Sequence, residues 1–137
     1  MEALANAGSA LHELGRFAEA AGRHRRVVAL APNLPAAQFH LGNALRELGR
    51  AGEAIAEYSQ ALAIDAGHAG ARFHLAGLLL AKSRAKEAFE QYERILRDEP
   101  RAPHLLEAMQ RAAAASSDPA EAAELRARLG AARKAPR

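Results

Sequence analysis

The stretch that decides the fold runs Phe39-His40-Leu41-Gly42-Asn43-Ala44-Leu45-Arg46-Glu47-Leu48-Gly49-Arg50 and continues Ala51-Gly52-Glu53-Ala54-Ile55-Ala56-Glu57-Tyr58-Ser59-Gln60-Ala61-Leu62. Leu41, Ala44, Leu45 and Leu48 fall at i, i+3, i+4 and i+7, one apolar stripe of a helix. Gly49 follows in the place of a helix C-terminal glycine. A second stripe starts at once, with Ala54, Ile55, Tyr58, Ala61 and Leu62. The stretch reads as helix, tight turn, helix.

Stepping 34 residues in either direction returns the same columns, and a fixed period of that length marks a helical repeat. Gly8 aligns with Gly42 and Ala76, Leu11 with Leu45 and Leu79, and Gly15-Arg16 with Gly49-Arg50 and Ser83-Arg84. Glu19-Ala20 recurs as Glu53-Ala54, Glu87-Ala88 and Glu121-Ala122. The small residues Gly8, Gly42 and Ala76 are expected to let the two helices of a row approach closely. Pro32 and Pro100 end second helices, and Gly67 is expected to supply the break in row two. The fourth row is worn. Pro103 to Ala115 reads as a helix and Ser116-Ser117-Asp118-Pro119 as a break. Asp118 suits an N-cap, Pro119 the first helical position, and Glu121 the third residue of a capping box. Fraying is expected from Ala131 onward. The rows are 1–34, 35–68, 69–102 and a degenerate capping pair at 103–134, together one domain over 1–137.

Composition agrees. The chain holds 37 Ala among 137 residues, 4% aromatics and no Trp. That suits thin, closely stacked helices and excludes an all-β fold. The absence of Cys removes disulfides, thiolate metal sites and cysteine nucleophiles. The expected localisation is cytoplasmic, or periplasmic if a leader has been removed, since the start lacks a signal-peptide pattern and nothing reads as a membrane span. Net charge is +3, with 19 basic residues nearly balancing 16 acidic ones. An Ala- and Arg-rich composition is common in GC-rich bacterial genomes. The one dense basic cluster, Arg23-His24-Arg25-Arg26, has no interleaved aromatics, so no nucleic acid partner is expected.

The pattern Phe39-x-Leu41-Gly42-x-x-Leu45-x-x-x-Gly49-x-x-x-Glu53-Ala54-x-x-x-Tyr58-x-x-Ala61-Leu62 resembles the tetratricopeptide repeat. The resemblance covers 1–102 well and 103–134 weakly. It departs at Gln38 and Arg72, which stand where Trp or another large residue is common, and at His24, which stands for an aromatic. It implies an all-α fold, a right-handed α-solenoid of antiparallel helix pairs, whose concave groove is lined by the first helix of each pair. It also implies that the chain binds a peptide or a partner helix rather than performing catalysis. The alternative is the repeat region of a larger enzyme or secretion or pilus-assembly factor, for example a glycosyltransferase.

At about 100° per residue, the face opposite the Leu41 stripe carries Phe39, His40, Asn43, Arg46 and Glu47. The same offsets give Ala5, Asn6, Ser9, His12 and Glu13 in row one, and Phe73, His74, Gly77, Leu80 and Ala81 in row three. Row four offers Glu107, Ala108 and Arg111, with His104 a turn earlier. The expected groove residues are therefore Asn6, Ser9, His12, Phe39, His40, Asn43, Arg46, Phe73, His74 and Gly77. Phe39 and Phe73 read either as packing against the next repeat or as an apolar shelf for a partner. Asn6, His40 and His74 form a column able to grip an extended backbone, and the two His make a pH-dependent affinity conceivable. Family members that clamp a C-terminal carboxylate use Lys, Asn and Arg at columns that here hold Ala5, Ser9, His40, Gly70 and His74, so that mode is not expected. The six His show no H-x-x-x-H pair on one helix, and no phosphate loop or paired-carboxylate constellation occurs. No metal, cofactor or catalytic residue is expected. Glu90, Glu93, Arg94 and Arg97 read as pairing along one helix surface. The expected state is a monomer, with self-association through the thin fourth row as the alternative.

Overall fold

A computed structural model describes residues 1–136. The described residues form eight helices and no strand: α1 (Glu2–Glu13), α2 (Phe17–Leu30), α3 (Pro35–Glu47), α4 (Ala51–Ile64), α5 (Ala69–Ala81), α6 (Ala85–Asp98), α7 (Leu105–Ala115) and α8 (Pro119–Lys134). Contacts divide the chain into two compact units, Met1–Ala71 and Arg72–Arg137.

The turns inside the first three helix pairs share one hydrogen-bond scheme. The Arg16 N–H donates to the Leu11 carbonyl at 2.9 Å and the Gly15 N–H to the His12 carbonyl at 3.0 Å. Arg50 and Gly49 repeat this onto Leu45 and Arg46, and Arg84 and Ser83 onto Leu79 and Leu80. This is the Schellman closure, which needs a left-handed residue just past the helix. Gly15 and Gly49 supply it with φ of 77° and 76°, and Ser83 adopts the same conformation at 62°. The following Arg then opens the second helix. With no side-chain cap at Arg16, Arg50 or Arg84, each guanidinium instead reaches the Glu three residues on, at 2.7 Å for Arg16–Glu19, 2.7 Å for Arg50–Glu53 and 2.6 Å for Arg84–Glu87.

In the first unit, α1 packs on α2, α2 on α3 and α3 on α4. Its core is Ala20, Ala21, Val27, Ala37, Leu41, Ala44, Leu45, Ala54, Tyr58 and Ala61. Gly8 and Gly42 make the close approaches. A methyl on Gly42 would lie 2.8 Å from the Tyr58 ring, and one on Gly8 would lie 2.7 Å from the His24 ring. Leu48 leaves the stripe expected for it, because α3 has already ended and the residue is exposed. Gly67 lies in the turn that separates α4 from α5, without a positive φ, and the Asp65 carboxylate accepts its N–H at 3.1 Å, an Asx turn. Gln38 is buried, with its amide donating to the Pro32 carbonyl at 3.0 Å while its own oxygen has no partner.

In the second unit α6 packs on α7 and α7 on α8. Three expectations change here. Helix α7 begins at Leu105 rather than Pro103, because His104 takes a left-handed conformation (φ 63°) that cannot continue a helix. The face expected to be open on α7 includes Ala108, which is buried. Fraying does not begin at Ala131. Helix α8 runs to Lys134, and Arg133 donates to Gln110 of α7 at 2.8 Å in its last turn. Asp118 does cap α8, accepting the Ala120 N–H at 3.0 Å, but Glu121 turns to the Ser116 hydroxyl instead of completing a capping box. Glu90 and Glu93 also depart from the expected pairing along α6. Both face Arg128 of α8, while Arg94 pairs with Asp98 at 3.2 Å.

Candidate binding face

Four of the expected groove residues meet in the first unit. Ser9 and His12 from α1 and His40 and Asn43 from α3 line one cavity of about 220 Å³, together with Glu13 and, from α2, His24. The floor is set by the repeat. His24 occupies the column that holds Tyr58 and Tyr92 in later rows, so its ring lies inward, against Gly8, and is only 2% exposed. The His40 ring stacks on it, 5.3 Å between centroids and 25° between planes. His12 is braced edge-on by Phe17 at 4.9 Å. Asn43 is oriented by the Tyr58 hydroxyl, which donates to its side-chain oxygen at 2.6 Å.

Burial sets the charge state. Desolvation, then the proximity of His40 and His12, pushes the His24 pKa down from 6.5 to about 4. His40 is also lowered, first by desolvation and then by His12 and His68. Both rings are therefore neutral at pH 7. Near-parallel stacked rings cannot aim their in-plane lone pairs at one ion, and among the described residues no three His, Asp or Glu side chains are grouped to hold a metal.

The other expected residues lie apart from this cavity. Asn6 is exposed on α1. Phe39 is half-buried, 4.7 Å from the His68 ring and 6.0 Å from the Tyr58 ring, and a methyl on Gly70 would lie 3.2 Å from it. It packs against the start of the next repeat rather than forming a shelf. Arg46 pairs with Glu47 at 3.2 Å. In the second unit Phe73 is 40% exposed and meets the Tyr92 ring edge-on at 5.6 Å. His74 lies 5.9 Å from the Phe73 ring, and Gly77 is exposed with open space where a side chain would begin. Sequence spacing alone missed the His24–His40 pair, because 16 residues separate the two on different helices. The signal was nonetheless present, since the period places His24 in the buried tyrosine column. That same turn of α2 splits the basic cluster, burying His24 between the exposed Arg23 and Arg25.

Family models described as tetratricopeptide repeat match residues 5–69 and 45–112. Together they span well over half of the sequence. The chain belongs to the tetratricopeptide repeat family. No protein of curated function matches it in sequence. Among solved structures it is similar to the first tetratricopeptide repeat domain of Spaghetti (RPAP3) bound to the HSP90 peptide SRMEEVD. There the TM-score is 0.79 and the identity 20%, over 82% of this chain and 90% of that one. It is also similar to MamA, with a TM-score of 0.77 and 22% identity over 97% and 69% of the two chains. A third is the Yersinia enterocolitica type III secretion chaperone SycD in complex with a peptide of the translocator YopD, with a TM-score of 0.73 and 19% identity over 93% and 92%. These tetratricopeptide repeat structures place the chain in the all-α helical-repeat solenoid class. No helix of the described residues is long and apolar enough to cross a membrane.

Proposed function

We propose that the chain is a non-catalytic scaffold that binds a peptide or helix of another protein on the face formed by the first helices of its repeats. The observation that carries this is the convergence of Ser9, His12, His40 and Asn43 on one cavity whose floor is the buried His24 ring. Such concave sites with a few placed polar groups are where small ligands and side chains bind. The solved structures of similar fold support it, because two of them hold peptides, one of HSP90 and one of YopD. One scaffold serves both, so the partner is chosen by the groove side chains rather than by the fold. In the second unit, α5 carries an exposed Phe73 and an open position at Gly77, an apolar contact and free room on the first helix of row three.

The test is peptide display against the protein, followed by affinity measurement with a Ser9→Arg/Gly77→Arg variant. Both positions have room for a side chain, so the variant is expected to keep its helical content and lose the selected peptides. Selected peptides that bind the folded variant unchanged would contradict the assignment.

A further inference from the structure

The cavity of the first unit has a chemical preference that follows from its lining. With the buried His24 and His40 held neutral, Glu13 is the one carboxylate of the lining, and no Lys or Arg lines it. Each neutral imidazole keeps one acceptor nitrogen, and the Ser9 hydroxyl adds further acceptor capacity. Asn43 already spends its oxygen on the Tyr58 hydroxyl, so its amide is left as a donor suited to a partner's backbone carbonyl. The surface offered is thus a carboxylate at the rim, acceptors in the wall and the flat ring of His40, backed by the buried His24 ring. An incoming anion would face Glu13. A compact ammonium would gain the charge contact but not the rings. A planar guanidinium can do both, stacking on an aromatic face while its fork of N–H groups reaches a carboxylate. A volume of about 220 Å³ accommodates that head group with a few waters.

We propose that this cavity, enclosed by Ser9, His12, Glu13, His24, His40 and Asn43, is an arginine pocket that takes the guanidinium of a partner chain. The proposal rests on the peptide-binding reading above and names the side chain that reading leaves open. It also gives the site a direction of pH response. The titratable groups around the His40 ring are His12 and Glu13 from α1 and His24 from α2, while the Tyr58 hydroxyl of α4 is bound to Asn43. His68 stands in the α4–α5 turn, and the Arg46–Glu47 pair lies further along α3. Acidification adds positive charge to His40 and then to His24, the rings that burial keeps neutral, so a bound cation is expelled as pH falls.

The experiment titrates the intact protein with N-acetyl-arginine amide at pH 7.5 and follows the ring resonances of His12, His24 and His40. N-acetyl-lysine amide and N-acetyl-glutamate amide serve as the comparison probes. Saturable shifts with the arginine probe are expected in the millimolar range, weaker with lysine and absent with glutamate. The conservative Glu13→Gln variant, at an exposed position, should bind the arginine probe several-fold more weakly with an unchanged amide spectrum. Wild type should weaken several-fold at pH 5. Absence of saturable shifts with the arginine probe, equal response to glutamate, an unaffected Glu13→Gln variant, or equal or tighter binding at pH 5 would each overturn the pocket. The scaffold reading fails separately: display selection that enriches no peptide ends that reading even if the arginine probe binds. Enriched peptides without arginine end the pocket while leaving the scaffold intact.

Discussion

Gly42 has the Tyr58 ring where its side chain would be, and that single contact sets how close α3 and α4 can come. A larger residue there must push the helices apart, and overpacking of this kind costs about 1–3 kcal/mol. Gly42→Leu is expected to lose at least that much in urea unfolding, and an unchanged midpoint would contradict the helix register. Ser83 is the opposite case. It holds the left-handed turn that Gly15 and Gly49 fill in the other rows. A non-glycine residue there costs about 1–2 kcal/mol, offset in part by the extra chain entropy glycine loses on folding. Ser83→Gly should therefore stabilise by about 0.5 kcal/mol, read as a small rise in the unfolding midpoint. Both positions were legible in the sequence, because the repeat lines up a small residue with an aromatic and a serine with two glycines. Gln38 was legible only as a departure. Its buried, unpartnered oxygen follows from the loss of the large apolar residue common in that column.

At the scale of the element, α8 shows what the sequence concealed. Its own stripe of Ala122, Leu125 and Leu129 is thin, which is why fraying was the natural expectation. The helix persists because distant residues hold it. Arg128 reaches Glu93 and Glu90 of α6 and Glu124 of its own helix, and it lies 5.4 Å from the Phe89 ring centroid. The partners on α6 sit more than 30 residues back, beyond any local pattern. A half-open network of this type contributes on the order of 1 kcal/mol. Arg128→Ala is expected to raise amide exchange across 119–134 while leaving α1 to α4 unchanged, and uniform protection in the variant would count against the network. The start of α7 was hidden for a related reason. Pro103 suits a first helical residue, but the left-handed His104 moves the start to Leu105.

Across the whole molecule the two units should respond differently to pH. Folding keeps His24 neutral, with its pKa lowered from 6.5 to about 4, and lowers that of His40 as well. Between those values the unfolded chain binds more protons than the folded one, so stability falls as pH falls from about 6.5 and levels off below about 4. For His24 alone the ceiling is about 3.5 kcal/mol at about 1.4 kcal/mol per unit. Amide exchange should show protection lost over this window in 1–71 more than in 72–136. His24→Tyr, which restores the residue of the other rows, should flatten the dependence. The all-α repeat and its pairing were readable because they rest on a 34-residue period. The histidine cavity was not, because it forms where a core column of one row meets the groove column of the next.

The most direct test of a peptide-binding face is to map a display-selected peptide onto the isotope-labelled protein by amide chemical shifts. The largest changes are expected at Ser9, His12, His40 and Asn43 on α1 and α3. Changes confined to the exposed residues of α2 and α4, with these four unmoved, would contradict it.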